Sequence, residues 1–118
     1  MKCFLIVAGL LHVFFLLAEL FPWHWPLLAS GVSKGVEFSK EQKLLVKAIV
    51  QNAGIYNGIV AGGLFFAAYA GSSASDVARV MLAGAAVAGI FGALTLKPPY
   101  LPAIQALMGV AGLYFLLR

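Results

Sequence analysis

The chain of 118 residues is 63% hydrophobic and 10% charged, with a mean hydropathy of +0.99. Because a soluble domain carries roughly 25% charged residues, this composition excludes a soluble enzyme and predicts an integral membrane protein. The net charge of +4 comes from dispersed Lys and Arg residues at the ends of apolar runs, which indicates contact with lipid headgroups rather than nucleic acid. The length predicts one domain over residues 1–118.

Four apolar runs follow one another along the chain, each near or above the roughly 18 residues that cross hydrocarbon as a helix. A backbone in lipid must satisfy its own hydrogen bonds, so the predicted fold class is all-α: a polytopic membrane protein with a four-helix antiparallel transmembrane bundle. The predicted helices cover about 3–21, 40–70, 77–96 and 100–117. Lys2 and the first run resemble a secretory signal, but a small-x-small cleavage site is missing, so we expect this helix to be retained.

The first helix is predicted to end at a cluster of proline and aromatic residues. Pro22 and Pro26 flank Trp23, His24 and Trp25, and proline stops a helix. Indole rings favour the headgroup level of a bilayer. These three residues are therefore predicted to form an interfacial rim.

The remaining helix boundaries also carry recognisable residues. Ser39 and Gln42 form a capping-box pattern that predicts the start of helix two near Lys40. Gly71 is predicted to break helix two, and Asp76 is placed to cap helix three. These joints agree with a four-helix antiparallel bundle.

The distribution of basic residues predicts an orientation. The loops after helices one and three carry more basic residues than the opposite side of the membrane. They contain Lys34, Lys40, Lys43 and Lys97, with Lys47 just inside helix two, against Lys2, Arg79 and Arg118 on the other side. The positive-inside rule then places the first and third loops in the cytoplasm and both termini outside, in a multi-pass protein of a bacterial inner membrane.

Small residues recur at intervals of four in helices two and three. The positions are Gly54, Gly58 and Gly62, then Gly84, Ala88 and Gly92. Such ridges allow a second helix to approach closely, and we interpret them as packing surfaces rather than as ligand sites.

Six polar side chains fall inside the first two predicted helices: His12, Glu19, Gln51, Asn52, Tyr56 and Asn57. In an antiparallel hairpin they gather in one half of the bilayer, beneath the predicted rim. The amides and the phenol are equally compatible with interhelical hydrogen bonds worth roughly 0.6 kcal/mol each. On a helical wheel Asn52 and Tyr56 share one face while Gln51 and Asn57 do not, so either helix two is central or a second protomer covers its exposed side.

His12 and Glu19 lie two turns apart on one face, about 10 Å along the helix axis. A charge near the bilayer centre costs at least about 2.5 kcal/mol and usually marks a function. Both groups suit proton exchange.

Two residues are too few for a metal site, Cys3 is the single cysteine, and no phosphate or dinucleotide motif is present, so no cofactor and no metal are predicted.

Two segments carry a family resemblance. His12 to Trp23 reads HVFFLLAELFPW, and Gln51 to Gly58 reads QNAGIYNG. With a weaker segment over Ala88 to Leu107, the chain resembles the small bacterial and fungal integral membrane family called domain of unknown function 1304, whose second motif usually reads Asn-Gln-Gly-x-Tyr-Asn-Gly. The resemblance implies a four-helix membrane protein and does not imply a reaction.

Three functions remain open from the sequence. The first is a polar pocket between helices one and two that binds a small amphipathic or lipid-like ligand. The second is a proton-coupled transporter of small molecules. The third is a structural or assembly role, in which glycines and amides associate helices, including those of a homo-oligomer. Whether the protein catalyses a reaction is left open.

Overall fold

The computed structural model describes residues 1–21, 39–96 and 99–118. Its elements are α1 (Lys2–Leu20), α2 (Lys40–Ala70), a 3₁₀ turn (Gly71–Ala74), α3 (Ser75–Thr95) and α4 (Tyr100–Leu116). The described ranges contain helices and no strand, so the all-helical prediction is confirmed there. The predicted rim of Trp23, His24 and Trp25 lies outside the described residues.

The N-terminus of α2 is closed by the predicted capping box. The Ser39 hydroxyl accepts a hydrogen bond from the Gln42 backbone N–H at 3.2 Å, and the Gln42 side-chain oxygen accepts one from the Ser39 N–H at 2.9 Å. Two backbone donors of the first turn are thereby satisfied reciprocally. This cap fixes where α2 begins.

Replacing Ser39 with alanine is expected to destabilise this first turn by about 1 kcal/mol, because one backbone donor loses its partner. Ser39→Asp should retain the cap. The measurement is hydrogen exchange of the amides that follow residue 40, with Ser73→Ala as the control, since the Ser73 hydroxyl bonds the Ala70 carbonyl at the other end of α2. Unchanged exchange in Ser39→Ala would contradict the role of the cap.

Gly71 ends α2, as predicted, with a φ of 68° that favours glycine. The prediction that Asp76 caps α3 is wrong. The 3₁₀ turn runs directly into α3, whose N-cap is Ala74 and makes no side-chain cap bond. Asp76 therefore already lies in the first helical turn, where its carboxylate accepts a hydrogen bond from Arg79 at 2.6 Å.

Two helical hairpins make up the structure, with α1 packed along α2 and α3 packed along α4. In the first hairpin, Gly54 allows the close approach: a Cβ built there would lie 3.1 Å from the Glu19 Cβ and 3.2 Å from the Leu16 carbonyl oxygen. The Leu16 side chain also lies against Gly58. The predicted glycine ridge is thus used at two of its three positions, and Gly62 faces open space.

In the second hairpin the two backbones touch. A Cβ built at Gly109 would lie 2.5 Å from the Ala86 backbone nitrogen and 2.6 Å from the Leu82 carbonyl oxygen. Gly89 similarly abuts the backbone of Ala106. Of the predicted ridge in this helix, Gly92 packs on Pro102, whereas Ala88 is exposed and Gly84 faces open space.

The hairpins are joined by an apolar core at the end of the molecule that holds both termini and the 3₁₀ turn. Its buried residues come from α1, α2, the 3₁₀ turn and α3: Leu5, Ala8, Leu64, Ala67, Ala68, Ala74, Ala78 and Leu82. Met108, Leu113 and Leu116 of α4 pack against them. Among the described residues, the opposite halves of α1 and α2 therefore meet mainly each other.

Among the described residues, two stretches are long and apolar enough to cross a membrane by length and composition. They are Lys2–Leu20, which contains an 18-residue window of mean hydropathy 2.4, and Lys40–Thr95, which continues through the 3₁₀ turn and contains an 18-residue window of mean hydropathy 1.9. Tyr100–Leu116 is a shorter apolar helix. Large apolar side chains face outward along these helices, for example Leu94 at 81% exposure.

Candidate functional site

Three of the predicted residues meet at the contact of α1 with α2, and we call Glu19, Gln51 and Asn57 the polar seam. The Asn57 side-chain N–H donates to the Glu19 carboxyl oxygen Oε2 at 2.8 Å. The Gln51 side-chain N–H donates to the Leu20 carbonyl oxygen at 3.2 Å. All three side chains are half-buried.

Gly54 explains why the seam forms at this register. It stands three residues from Gln51 and three from Asn57, so both amides flank it on the surface of α2. Because Gly54 has no side chain, the Glu19 Cβ can come against α2 at this level. The Glu19 carboxyl group then reaches Asn57.

The hydrogen-bond partners fix the orientation of both amides. The Asn57 nitrogen faces the Glu19 carboxyl oxygen and, at 3.4 Å, the Ala53 carbonyl oxygen. The Gln51 nitrogen faces the Leu20 carbonyl. Since carbonyl oxygens only accept, the side-chain oxygens Oδ1 and Oε1 must point away from these partners. The seam therefore leaves both amide oxygens free as acceptors, together with the second N–H of Gln51 as a donor.

The seam carries a carboxyl group that has no basic partner among the described residues. Among the residues that the structure describes, one salt bridge forms, and it joins Asp76 to Arg79. No described Lys or Arg side chain pairs with Glu19. Its polar partner is the neutral amide of Asn57.

His12 lies two turns from Glu19 on α1, about 10 Å along the axis, and is 1% exposed. Its Nδ1 donates to the Ala8 carbonyl oxygen at 2.9 Å, and the Phe15 ring meets it edge-on at 5.9 Å between centroids. In a neutral ring this leaves Nε2 as an acceptor. Nε2 is buried and has no hydrogen-bond partner among the described residues.

Asn52 and Tyr56 do not join the polar seam. Both are exposed on the outer face of α2, and Tyr56 is 62% exposed. Neither side chain forms a hydrogen bond with another described residue. The structure thus divides the six predicted residues between an inner contact and an outer face.

The site also uses groups that sequence reasoning missed, namely the carbonyl oxygens of Ala8 and Leu20. The sequence contains a signal for each of these two carbonyl groups. Ala8 precedes His12 by four residues, and Leu20 ends α1, where carbonyls lack a partner within the helix. A polar side chain opposite the end of α1 was therefore a natural partner for the Leu20 carbonyl.

A cleft of about 340 Å³ lies at the opposite end of the molecule, lined by Met1, Phe4 and Phe115. None of the six predicted residues lines it. Lys2 stands 4.5 Å over the Tyr69 ring at that end of α2. The cleft and the polar seam are separate features.

The family assignment rests on a match over nearly the whole chain. A family model described as a protein of unknown function, DUF1304, matches residues 6–117. The chain belongs to the DUF1304 family. The match covers His12 and the polar seam, and it confirms the resemblance noted in the sequence. Comparisons of this DUF1304 protein with curated proteins and with solved structures gave no match.

Proposed function

We propose that this chain is a four-span integral membrane protein whose polar seam and His12 bind a small amphipathic ligand within the membrane. The helices support the spans: α1 is about 28 Å long and α2 about 46 Å at 1.5 Å per residue, against a hydrocarbon core of roughly 30 Å. The excess length of α2 carries Lys40, Lys43 and Lys47 to the headgroups, where lysine side chains are stable.

The observation that carries the proposal is the Nε2 atom of His12. A buried polar atom that forms no hydrogen bond has lost its hydrogen bonds to water without a replacement. This destabilises the folded protein by about 1–3 kcal/mol. Such an atom is stabilised when a ligand supplies the missing donor. The Ala8 carbonyl oxygen cannot supply this donor, because a carbonyl oxygen only accepts.

The free groups also define the ligand's chemistry. His12 Nε2, the second carboxyl oxygen of Glu19 and the amide oxygens of Gln51 and Asn57 are all acceptors. A matching head group must donate hydrogen bonds, as a hydroxyl or an ammonium group does. An ammonium group would in addition place a positive charge beside the Glu19 carboxyl group, which no described basic residue does.

The test compares three amphiphiles of one chain length on the protein in lipid nanodiscs: dodecylamine, dodecanol and dodecanoate. We expect the amine, and more weakly the alcohol, to raise the thermal unfolding temperature, and Glu19→Gln to weaken amine binding about tenfold through loss of the charge. Asp76→Asn removes an exposed carboxyl group and is the control. Equal stabilisation by dodecanoate, or equal binding to Glu19→Gln, would refute the proposed ligand class.

A structural role is the second candidate, and one observation favours it. The hydrogen bonds of Asn57 to Glu19 and of Gln51 to Leu20 both link α1 to α2, so the polar seam also fastens the hairpin. If this is its entire role, Asn57→Ala lowers stability while none of the three amphiphiles binds. Binding of the amine to the folded parent chain decides between the two candidates.

A further inference from the structure

The outer face of α2 carries a regular stripe of residues that we call the outer seam. Its spacing alternates between four and three residues: Ala48, Asn52, Ile55, Ile59, Gly62 and Phe66. This is the heptad spacing with which two helices pack as a coiled coil. The face that meets α1 is a different one, on which Gly54 and Gly58 lie against Leu16.

The outer seam has no covering within the described chain. Ile55, Ile59 and Phe66 are between 51% and 59% exposed. A Cβ built at Gly62 would meet no atom within 4 Å, so its lack of a side chain serves no contact among the described residues of the protomer. A glycine in the middle of an exposed helical face lowers helix stability without a local benefit.

Asn52 shows that lipid is a poor covering for this face. On the proposed membrane topology, on which this inference rests, Asn52 stands about 7 Å and the neighbouring Tyr56 about 13 Å further along the helix than Lys47. Polar side chains at that depth need hydrogen-bond partners that lipid tails cannot supply. Tyrosine facing lipid is favoured at the headgroups rather than here.

A second copy of the chain meets these requirements. Two copies that insert in the same direction can be related by a two-fold axis along the membrane normal. Their α2 helices then run parallel, and each seam residue faces its own counterpart. The asparagine side chain contains both a donor and an acceptor and can pair with an identical side chain. One asparagine in a heptad seam selects a parallel, in-register pair, and facing glycines let the backbones approach.

We propose that two copies of the chain associate through α2, parallel and in register, along the outer seam. Asn52 of one copy then hydrogen-bonds Asn52 of the partner subunit. Gly62 is the point of closest approach. The polar seam with Glu19 lies on another side of α2 and stays within each protomer.

Disulfide trapping in liposomes tests the register. In a Cys3→Ser background, Ile59→Cys places one thiol in the outer seam, and Val87→Cys places one on an equally apolar surface of α3, where Val87 is 69% exposed. We expect mild oxidation to cross-link Ile59→Cys into a dimer at least tenfold faster than Val87→Cys. Equal rates, or faster cross-linking through α3, would overturn the proposal.

A glycine pair supplies the matched substitution. Among the described residues, a Cβ built at Gly62 or Gly84 meets no atom within 4 Å, and both positions are exposed, so leucine is a matched substitution at the two positions. We expect Gly62→Leu and Asn52→Ala each to reduce cross-linking at position 59 about tenfold, and Gly84→Leu to leave it unchanged. Undiminished cross-linking in both seam variants would exclude the paired seam.

Two controls separate this inference from the proposed function. Retention of the parent protein in the membrane after alkaline carbonate extraction tests the topology by itself. Binding of dodecylamine should persist in monomeric Gly62→Leu, because the outer seam does not line the ligand site. A dimer without amine binding refutes the ligand proposal alone, and amine binding without a dimer refutes the outer seam alone.

Discussion

Gly89→Ala is expected to lower the free energy of unfolding by about 3 kcal/mol, at the upper end of what overpacking costs. The added methyl group would meet the Ala106 backbone nitrogen and, at 2.7 Å, the Pro102 carbonyl oxygen. Backbone atoms cannot turn aside as a flexible side chain can. The two helices of the second hairpin would have to separate.

The measurement is loss of helical circular dichroism during titration of the micelle-bound protein with a denaturing detergent. Gly84→Ala is the matched control, since a Cβ there meets nothing within 4 Å and alanine favours a helix over glycine by about 1 kcal/mol. The control should therefore be as stable as the parent or slightly more stable. A Gly89→Ala chain as stable as Gly84→Ala would show that α3 and α4 do not approach as described.

Asn57→Leu is expected to destabilise the protein by about 2 kcal/mol, because the half-buried carboxyl group of Glu19 loses its described side-chain donor. Leucine is close in size, so the loss of packing is small. Glu19→Gln should be milder, since glutamine keeps an oxygen that can accept from the Asn57 amide. The difference in the free energy of unfolding between Asn57→Leu and Glu19→Gln therefore reports mainly the cost of leaving the Glu19 carboxyl group without a donor.

A double-mutant cycle in the same detergent titration tests the contact directly. When Glu19→Leu is combined with Asn57→Leu, no carboxyl group remains without a donor, and the loss should be smaller than the sum of the single losses by about 1 kcal/mol. Asn52→Leu with Glu19→Leu is the control cycle, because Asn52 lies on the outer face. Additive losses in the Glu19 and Asn57 cycle would argue against the 2.8 Å hydrogen bond.

Local chemistry made some features predictable from the sequence. Ser39 and Gln42 are three residues apart and form their capping box without help from the rest of the fold. The break at Gly71 was predictable for the same reason, since glycine tolerates the positive φ found there. The all-helical class followed from the composition.

The faces of α2 could not be assigned in this way. A helical wheel separates Asn52 and Tyr56 from Asn57, but it does not say which side meets α1. That choice depends on a contact between distant positions, the fit of Glu19 and Leu16 against Gly54. The same holds for Gly89, whose role depends on Ala106 in another helix and not on the four-residue repeat around Gly84.

The hydrogen bond between Glu19 and Asn57 joins residues 38 positions apart, and this separation bears on how the chain enters a bilayer during synthesis. The Glu19 carboxyl group of α1 reaches the membrane before the Asn57 amide of α2 has left the ribosome. On the proposed topology, we expect α1 to wait at the insertion machinery until α2 arrives, so that the pair moves into lipid with the carboxyl group already hydrogen-bonded. The second hairpin, held by backbone contact at Gly89 and Gly109, can then follow as a separate unit.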